Sequence, residues 1–476
     1  MSWRKIFVKH EKRRGRHLRL CNDDTLRDVM TDYLSKRQNP LRNMDTAEWH
    51  RIFDALISAF TKDWLAGRGE NPVQVLWARK DDLATIELIL LGNAIHRLQL
   101  VDPRWVKAQV EKIKGKNRNT RQGALYELLA LSLFDGAGVR VKPGDNPGYD
   151  GTVFLPANVA IRVSLKSYGL STHQRYFNDQ SAMIEAQLVA GLRQRGITPV
   201  TFFAAATRYP GQREWSLLND ELSVILDAYR RTSMTWPQEF PILDAWQVVI
   251  VPLPEALGAF SSKYTSYAFV TMAPYHQNEY KNLTDKLDDA CTNFTKHAGT
   301  LPSETLGLVF VHVPETASVA SCKEWACQYF ADSPETPLGA ILLYQPTVAR
   351  NINDTTETSV FHSMTVITGP QYQQWDQSRS SHSPAIPLTI RAGFPPKEPI
   401  KEVLAWGPYE IPINGKYIYQ HGHQYIMAQN DEHGNQFLEV QSIASGIPVH
   451  AVGQLSQGEE FTLSGDYPQQ DQLLLW

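Results

Sequence analysis

The stretch "PGYDGTVFLPANVAIRVSLKSYG", residues 147–169, alternates apolar and other side chains on either side of Pro156, Ala157 and Asn158, which commits it to a β-hairpin. With Ala157 as the pivot, Leu155 faces Val159, Val153 faces Ile161 and Gly151 faces Val163, giving an apolar face. The opposite face sets Phe154 against Ala160, Thr152 against Arg162 and Asp150 against Ser164, with Lys166 one step further along its strand. Asn158 suits the left-handed conformation that such a loop needs. Opposed Cβ atoms lie about 4.5–5.5 Å apart, so Asp150, Ser164 and Lys166 share one small site. The same pattern also fits an amphipathic hairpin whose Asp150 and Lys166 form a weak surface pair.

The helix before the hairpin bears on that choice. In "QGALYELLALSLF" apolar residues fall nearly all round the helix, which implies burial on most sides. Glu127 is the single charge between Gln122 and Phe134. An ionised carboxylate in such surroundings needs a cation or strong donors, unless it occupies a narrow exposed stripe. Thr120 is the expected N-cap of this helix and "DGAG" its end near 135.

The order of elements widens the frame. Apolar residues recur at helical spacing from about 24 to 115, with Gly67 and Gly92 as breakers. After the Glu127 helix come a strand at "VRVKP", the hairpin, a helix over "DQSAMIEAQLVAGLRQRG" and strands at "VTFFAAAT" and "WQVVIVPLP". A second alternation follows, with strands at "YAFVTMA", "LGLVFVHVP", "GAILLYQP" and "VFHSMTVITG" separated by two helices. The end of the chain is aromatic, Gly-rich and strand-like. The fold class is therefore α/β and multidomain, as 476 residues also imply. The expected units are a helical region with a basic arm at 1–116, an α/β core with a mixed sheet at 117–255, a second α/β unit at 256–375 and a β-rich acidic module at 376–476.

Charge is segregated although the net value is only −3. Arg4, Lys5, Lys9, Lys12, Arg13, Arg14, Arg16 and Arg19 crowd the front, and a second stretch holds Arg104, Lys107, Lys112, Lys114, Lys116, Arg118 and Arg121. Beyond Lys416 there is no Lys or Arg, while Asp431, Glu432, Glu439, Glu459, Glu460, Asp466 and Asp471 are acidic. Each run fits a solvated face; together they fit a basic surface for nucleic acid. No apolar run reaches the roughly 18 residues of a membrane span, and the basic front lacks the apolar centre of a secretory signal, though its charge is compatible with a mitochondrial transit peptide. Cys21, Cys291, Cys322 and Cys327 match no common zinc or redox spacing, which fits reduced thiols and a cytoplasmic location.

Over roughly 117–255 the order of elements and three residues resemble the PD-(D/E)XK nuclease superfamily, the restriction-endonuclease-like fold. Glu127 resembles the helix glutamate, Asp150 in "PGYD" the aspartate, and Lys166 in "SLK" the lysine of that family. Ser164 stands where the family commonly has a second acid. The resemblance implies a Mg2+- or Mn2+-dependent endonuclease, with Asp150, Glu127 and the Leu165 backbone carbonyl on the metal and Ser164 offering a neutral oxygen. Glu185, then Asp179, are candidates for a migrated carboxylate. Arg162, Tyr168, His173 and the basic residues Lys114, Lys116, Arg118 and Arg121 are candidate substrate contacts, Tyr168 by stacking on a base, with Ser167, Gln174 and Arg175 also near the cleft. DNA is the expected substrate ahead of RNA, in restriction or anti-phage defence. The alternative is a catalytically silent nuclease-like subunit that binds nucleic acid or scaffolds a complex. A protein partner through the C-terminal regions and a homodimer are further expectations.

Overall fold

In the computed structural model the described residues are 40–41, 44–252 and 267–395, with gaps at 68, 145–147, 170, 198–199, 233–237, 298–303, 315–316, 318, 352–357, 379–387 and 392. To these are added the strand backbones between 402 and 454, and residues 473–476. The basic run from Arg4 to Arg19, Cys21 and the side chains of the acidic tail lie outside them.

Among the described residues six helices come first: α1 Thr46–Phe60, α2 Lys62–Leu65, α3 Pro72–Ala78, α4 Asp82–Gln99, α5 Pro103–Lys114 and α6 Arg118–Ser132. Asp45, Asn71, Asp81 and Asp102 accept from main-chain N–H groups at the starts of α1, α3, α4 and α5, satisfying donors that a helix start leaves unpaired. Gly67 does fall between α2 and α3, but α4 runs straight through Gly92. A Cβ there would lie 2.6 Å from the Ile52 side chain, so this glycine lets α1 approach α4 closely rather than breaking the helix. Asn117, not Thr120, caps α6, accepting from the Thr120 N–H at 3.1 Å. The helix ends at Ser132 because the chain turns into a short strand, β1 Phe134–Asp135.

Then follow β2 Arg140–Pro143, β3 Gly151–Leu155, β4 Val159–Ser167, α7 Thr172–Arg195, β5 Val200–Ala206, α8 Gln212–Arg231, β6 Gln238–Ile242, β7 Trp246–Pro252 and β8 Tyr267–Met272. After these come α9 Asn278–Lys296, β9 Glu304–His312, α10 Val319–Asp332, β10 Leu338–Asn351, β11 Thr358–Thr368 and α11 Pro370–Ser378. The last elements are β12 Thr389–Ile390, β13 Gly393–Phe394, β14 Glu402–Trp406, β15 Tyr409–Ile413, β16 Tyr417–His421, β17 Gln424–Asn430, β18 Gln436–Ala444 and β19 Ile447–Gln454. Among the described residues no helix is long and apolar enough to cross a membrane.

The hairpin has the expected register: Leu155 opposes Val159, Val153 opposes Ile161 and Gly151 opposes Val163. Pro156–Asn158 form a single 3-10 turn, and Asn158 sits at φ +59°, the left-handed region that its short amide side chain tolerates.

The protein is α/β, with helices on a 15-stranded mixed sheet whose path runs β2-β3-β4-β9-β10 and, through β16 to β19, on to β8-β5-β7-β6. The parallel neighbour of β4 is β9, with Leu165 opposite Phe310, whereas β5 pairs with β7 and β8. One apolar cluster joins Trp49 of α1, Leu128 of α6, Val163 of β4 and Val348 of β10. A second cluster lies among α7, α8, β5 and β7, and a third among α9, α10, β9 and β10.

Candidate metal centre and active site

Asp150 marks the point where β3 stops pairing with β4. Its N–H still reaches the Val163 carbonyl at 2.9 Å, but the next main-chain donor of β4, the Leu165 N–H, has no β3 residue opposite it. The Asp150 carboxylate takes that place, accepting from Leu165 N–H at 2.6 Å. A strand residue turns its N–H and C=O to the same edge, so the Leu165 carbonyl faces the edge that Asp150 occupies. The Ser164 hydroxyl also supports the Asp150 carboxylate, and Ser164 itself is buried.

Helix α6 brings the second acid. It covers the Val153–Val163 face of the hairpin, and a Cβ on Gly151 would lie 2.8 Å from the Leu131 side chain, so glycine permits this close approach of helix and strand. Tyr126 fixes the position of α6, donating its hydroxyl to the Lys166 carbonyl at 3.0 Å and the Phe310 carbonyl at 2.8 Å. The next residue, Glu127, accepts from Gln109 Nε2 at 2.7 Å. Lys166 belongs to the opposite face of β4. The Tyr126 bond to the Lys166 carbonyl and the Asp150 bond to the Leu165 N–H bring the backbone beside Glu127, the Asp150 carboxylate and the start of Lys166 to the same end of β4.

Electrostatics distinguish this place from a surface pair. Burial pushes the Asp150 pKa up, and the Leu165 N–H, the Lys166 charge and the Ser164 hydroxyl only partly oppose it. Burial and the Asp150 charge push Glu127 up, against Lys112 and Gln109. Two half-buried carboxylates of raised proton affinity, that of Glu127 raised in part by the Asp150 charge, are stabilised as anions by a shared cation. Gln109 Oε1, on the side chain that holds Glu127, is buried with no donor of its own. The donor set of carboxylates, an amide oxygen, a hydroxyl and a main-chain carbonyl is all hard oxygen, which fits Mg2+ or Mn2+. Among the described residues no three acids, imidazoles or thiols cluster as a metal site, so neutral oxygens would have to complete the set.

The basic helix α5 lies beside this centre: Gln109 bonds Glu127, and the Lys112 charge acts on it. Arg104, Lys107, Lys112, Lys116 and Arg118 are exposed and Arg121 is half-buried. Lys114 is engaged, 3.1 Å from Glu111 and over the Phe60 ring.

Several expected contacts go elsewhere. The face bearing Thr152, Ala160 and Ser164 is not open to solvent; all three are buried, and α9 packs on β4. Arg162 accordingly donates to the Phe294 carbonyl at 2.6 Å in the last turn of α9 and covers the Phe294 ring, so it caps a helix end rather than facing substrate. Tyr168 is buried against Trp325 and donates its hydroxyl to Glu279 Oε2 at 2.7 Å, which leaves no free ring face for a base. His173 stacks on His276 with ring centres 3.6 Å apart. Ser167 Oγ lies 3.4 Å from His312 Nδ1, and Arg175 turns back to the Ser171 carbonyl. The helix carrying Glu185 and the exposed Asp179, α7, packs on α8 and β8, away from Asp150.

Four participants escaped the sequence reading: Gln109, Tyr126, Lys286 and Lys112 in its role beside Glu127. Lys286 on α9 is half-buried, and burial together with the Lys166 charge lowers its pKa, against Asp289 and Asp285. The only local hint was Tyr126, a polar tip in an otherwise apolar helix.

Comparison with protein-family models, curated proteins and solved structures returned no match.

Proposed function

We propose that the protein is a divalent-metal-dependent endonuclease of the PD-(D/E)XK type that hydrolyses DNA phosphodiester bonds. One observation carries this reading: at the end of the hairpin the Asp150 carboxylate accepts from the Leu165 N–H at 2.6 Å, while Tyr126, the neighbour of Glu127 on α6, donates to the Lys166 carbonyl at 3.0 Å, so one end of β4 gathers all three residues. Mg2+ or Mn2+ held by Asp150 and Glu127, with the Leu165 carbonyl, would polarise the scissile phosphate and acidify an attacking water. Lys166 offsets negative charge that grows on the phosphate in the transition state. Leu165 N–H and Ser164 hold Asp150 in place, Tyr126 ties α6 to the end of β4, and Gln109 holds Glu127. The exposed cations of α5 hold the DNA backbone beside the metal. A cytoplasmic role in restriction or anti-phage defence is consistent with this chemistry.

Ser164 favours one second reading, a catalytically silent nuclease-like subunit that binds nucleic acid. A buried neutral hydroxyl stands beside Asp150 where a second acid would strengthen the metal site. Incubation of plasmid and linear DNA with the full chain separates the two. The nuclease reading predicts cleavage that requires Mg2+ or Mn2+ and is lost in Lys166→Ala while the far-UV spectrum is unchanged. DNA binding without cleavage under either metal supports the silent subunit.

A further inference from the structure

We propose that the groove between α4 and strands β10 and β11 is a peptide-recognition surface, and that its occupant is this chain's own segment Leu473–Trp476. The two are joined across nearly the whole sequence. Glu87 is fully buried in α4, among Leu83, Ile86, Leu88, Leu90 and Leu91. One of its oxygens accepts the main-chain N–H groups of Leu474 and Leu475 at 2.9 and 3.0 Å. Two successive amides aimed at one carboxyl oxygen form a small concave donor.

Side chains add selectivity to that main-chain grip. Leu473 and Leu475 are buried in the same apolar cluster as α4, β10 and β11. The Trp476 ring stands edge-on to His362, with centres 4.5 Å apart, and 6.0 Å from Tyr344. The recognised chemistry is thus a short apolar peptide with an adjacent amide pair, a buried leucine before the pair, a second within it and an aromatic anchor after it. This arrangement does not depend on the nuclease reading, although it touches the same wall: Tyr344 stacks on Tyr126, which holds the Lys166 carbonyl.

Hydrogen exchange of the intact chain tests the seat directly. The Leu474 and Leu475 amides are expected to exchange at least 100-fold more slowly than in the free peptide 467–476, and this protection is expected to fall at least tenfold in Glu87→Leu. The recognition is tested in trans with full-length Leu475→Asp, whose own segment is disfavoured in the groove. This variant is expected to bind a fluorescein-labelled 467–476 peptide saturably, while wild type, its groove filled, does not, and a scrambled peptide binds at least tenfold more weakly. Free-peptide exchange rates at Leu474 and Leu475 in wild type would overturn the proposal even if the variant failed to fold. Equal binding of the scrambled peptide would overturn the recognition, and protection that disappears on dilution to monomer would overturn the occupant in favour of a second copy.

Discussion

Leu165 donates its main-chain N–H to the Asp150 carboxylate at 2.6 Å, where strand pairing between β3 and β4 has ended. This bond places an acid at the open edge of the sheet and keeps it half-buried. Position 164, next to it, decides how much negative charge the site carries. Ser164→Glu adds a carboxylate in a buried position. Without metal the variant is expected to lose about 1–3 kcal/mol of stability through burial and repulsion of like charges. With Mg2+ its unfolding midpoint is expected to rise at least as much as that of wild type. Thermal unfolding of both proteins with and without metal measures this; a variant that is destabilised equally in both conditions would speak for a silent hairpin.

The hairpin was legible because its information is local. Alternation fixed which residues oppose one another, Asn158 fixed the turn, and Glu127 stood out as one charge in an apolar helix. What surrounds them was not legible. Strand β9 sits beside β4 with Leu165 opposite Phe310, and pairing between buried parallel strands leaves no periodic trace that tells one apolar strand from another. The face of Arg162 read as polar and therefore open, yet α9 covers it, and the Phe294 carbonyl that Arg162 caps lies 132 residues away. Gln109 and Lys112 read as parts of an ordinary basic helix until α5 packed beside Glu127.

Arg162→Ala is expected to act on folding and not on substrate. It removes a bond to the end of α9 and a ring contact, at a cost of about 1–3 kcal/mol. Urea unfolding should register that loss while the DNA dissociation constant stays within about twofold of wild type. A large loss of DNA affinity at unchanged stability would return Arg162 to the binding surface.

Neutralising Lys112, Lys116 and Arg118 together is expected to weaken DNA binding and lower the slope of log K against log salt by about 0.9 for each phosphate that is no longer neutralised. Lys114→Ala alone is expected to change the slope little, because its ammonium is already on Glu111. Binding isotherms across a salt series check both, and an unchanged slope in the triple variant would remove the α5–α6 junction as the backbone clamp.

Acid is expected to unfold the protein partly through His362. Burial, with a smaller push from His312, takes its pKa down to about 3, and burial takes the His312 pKa down to about 4. In the unfolded chain both return to about 6.5. The unfolded state then binds more protons, so stability is whole above about 6.5 and falls as pH drops through that value towards 4 and 3. Asp150 and Glu127, whose pKa values are raised in the fold, act with the opposite sign and favour the fold as pH falls. Urea unfolding at pH 7.5 and 4.5 should therefore show a loss in wild type that is smaller by about 2–3 kcal/mol in His362→Phe. An identical loss in the variant would show that His362 is not the titrating group.

The central claim is that Asp150 and Glu127 together hold a cation. Calorimetric titration of Mn2+ into the full chain at pH 7, repeated in two buffers of different ionisation enthalpy, tests it most directly. Because both carboxylates have raised proton affinity, binding is expected at one site per chain with release of a fraction of a proton, and the heat is expected to vanish in Asp150→Asn and weaken at least tenfold in Glu127→Gln. No heat with wild type, or equal binding in Asp150→Asn, would contradict the account.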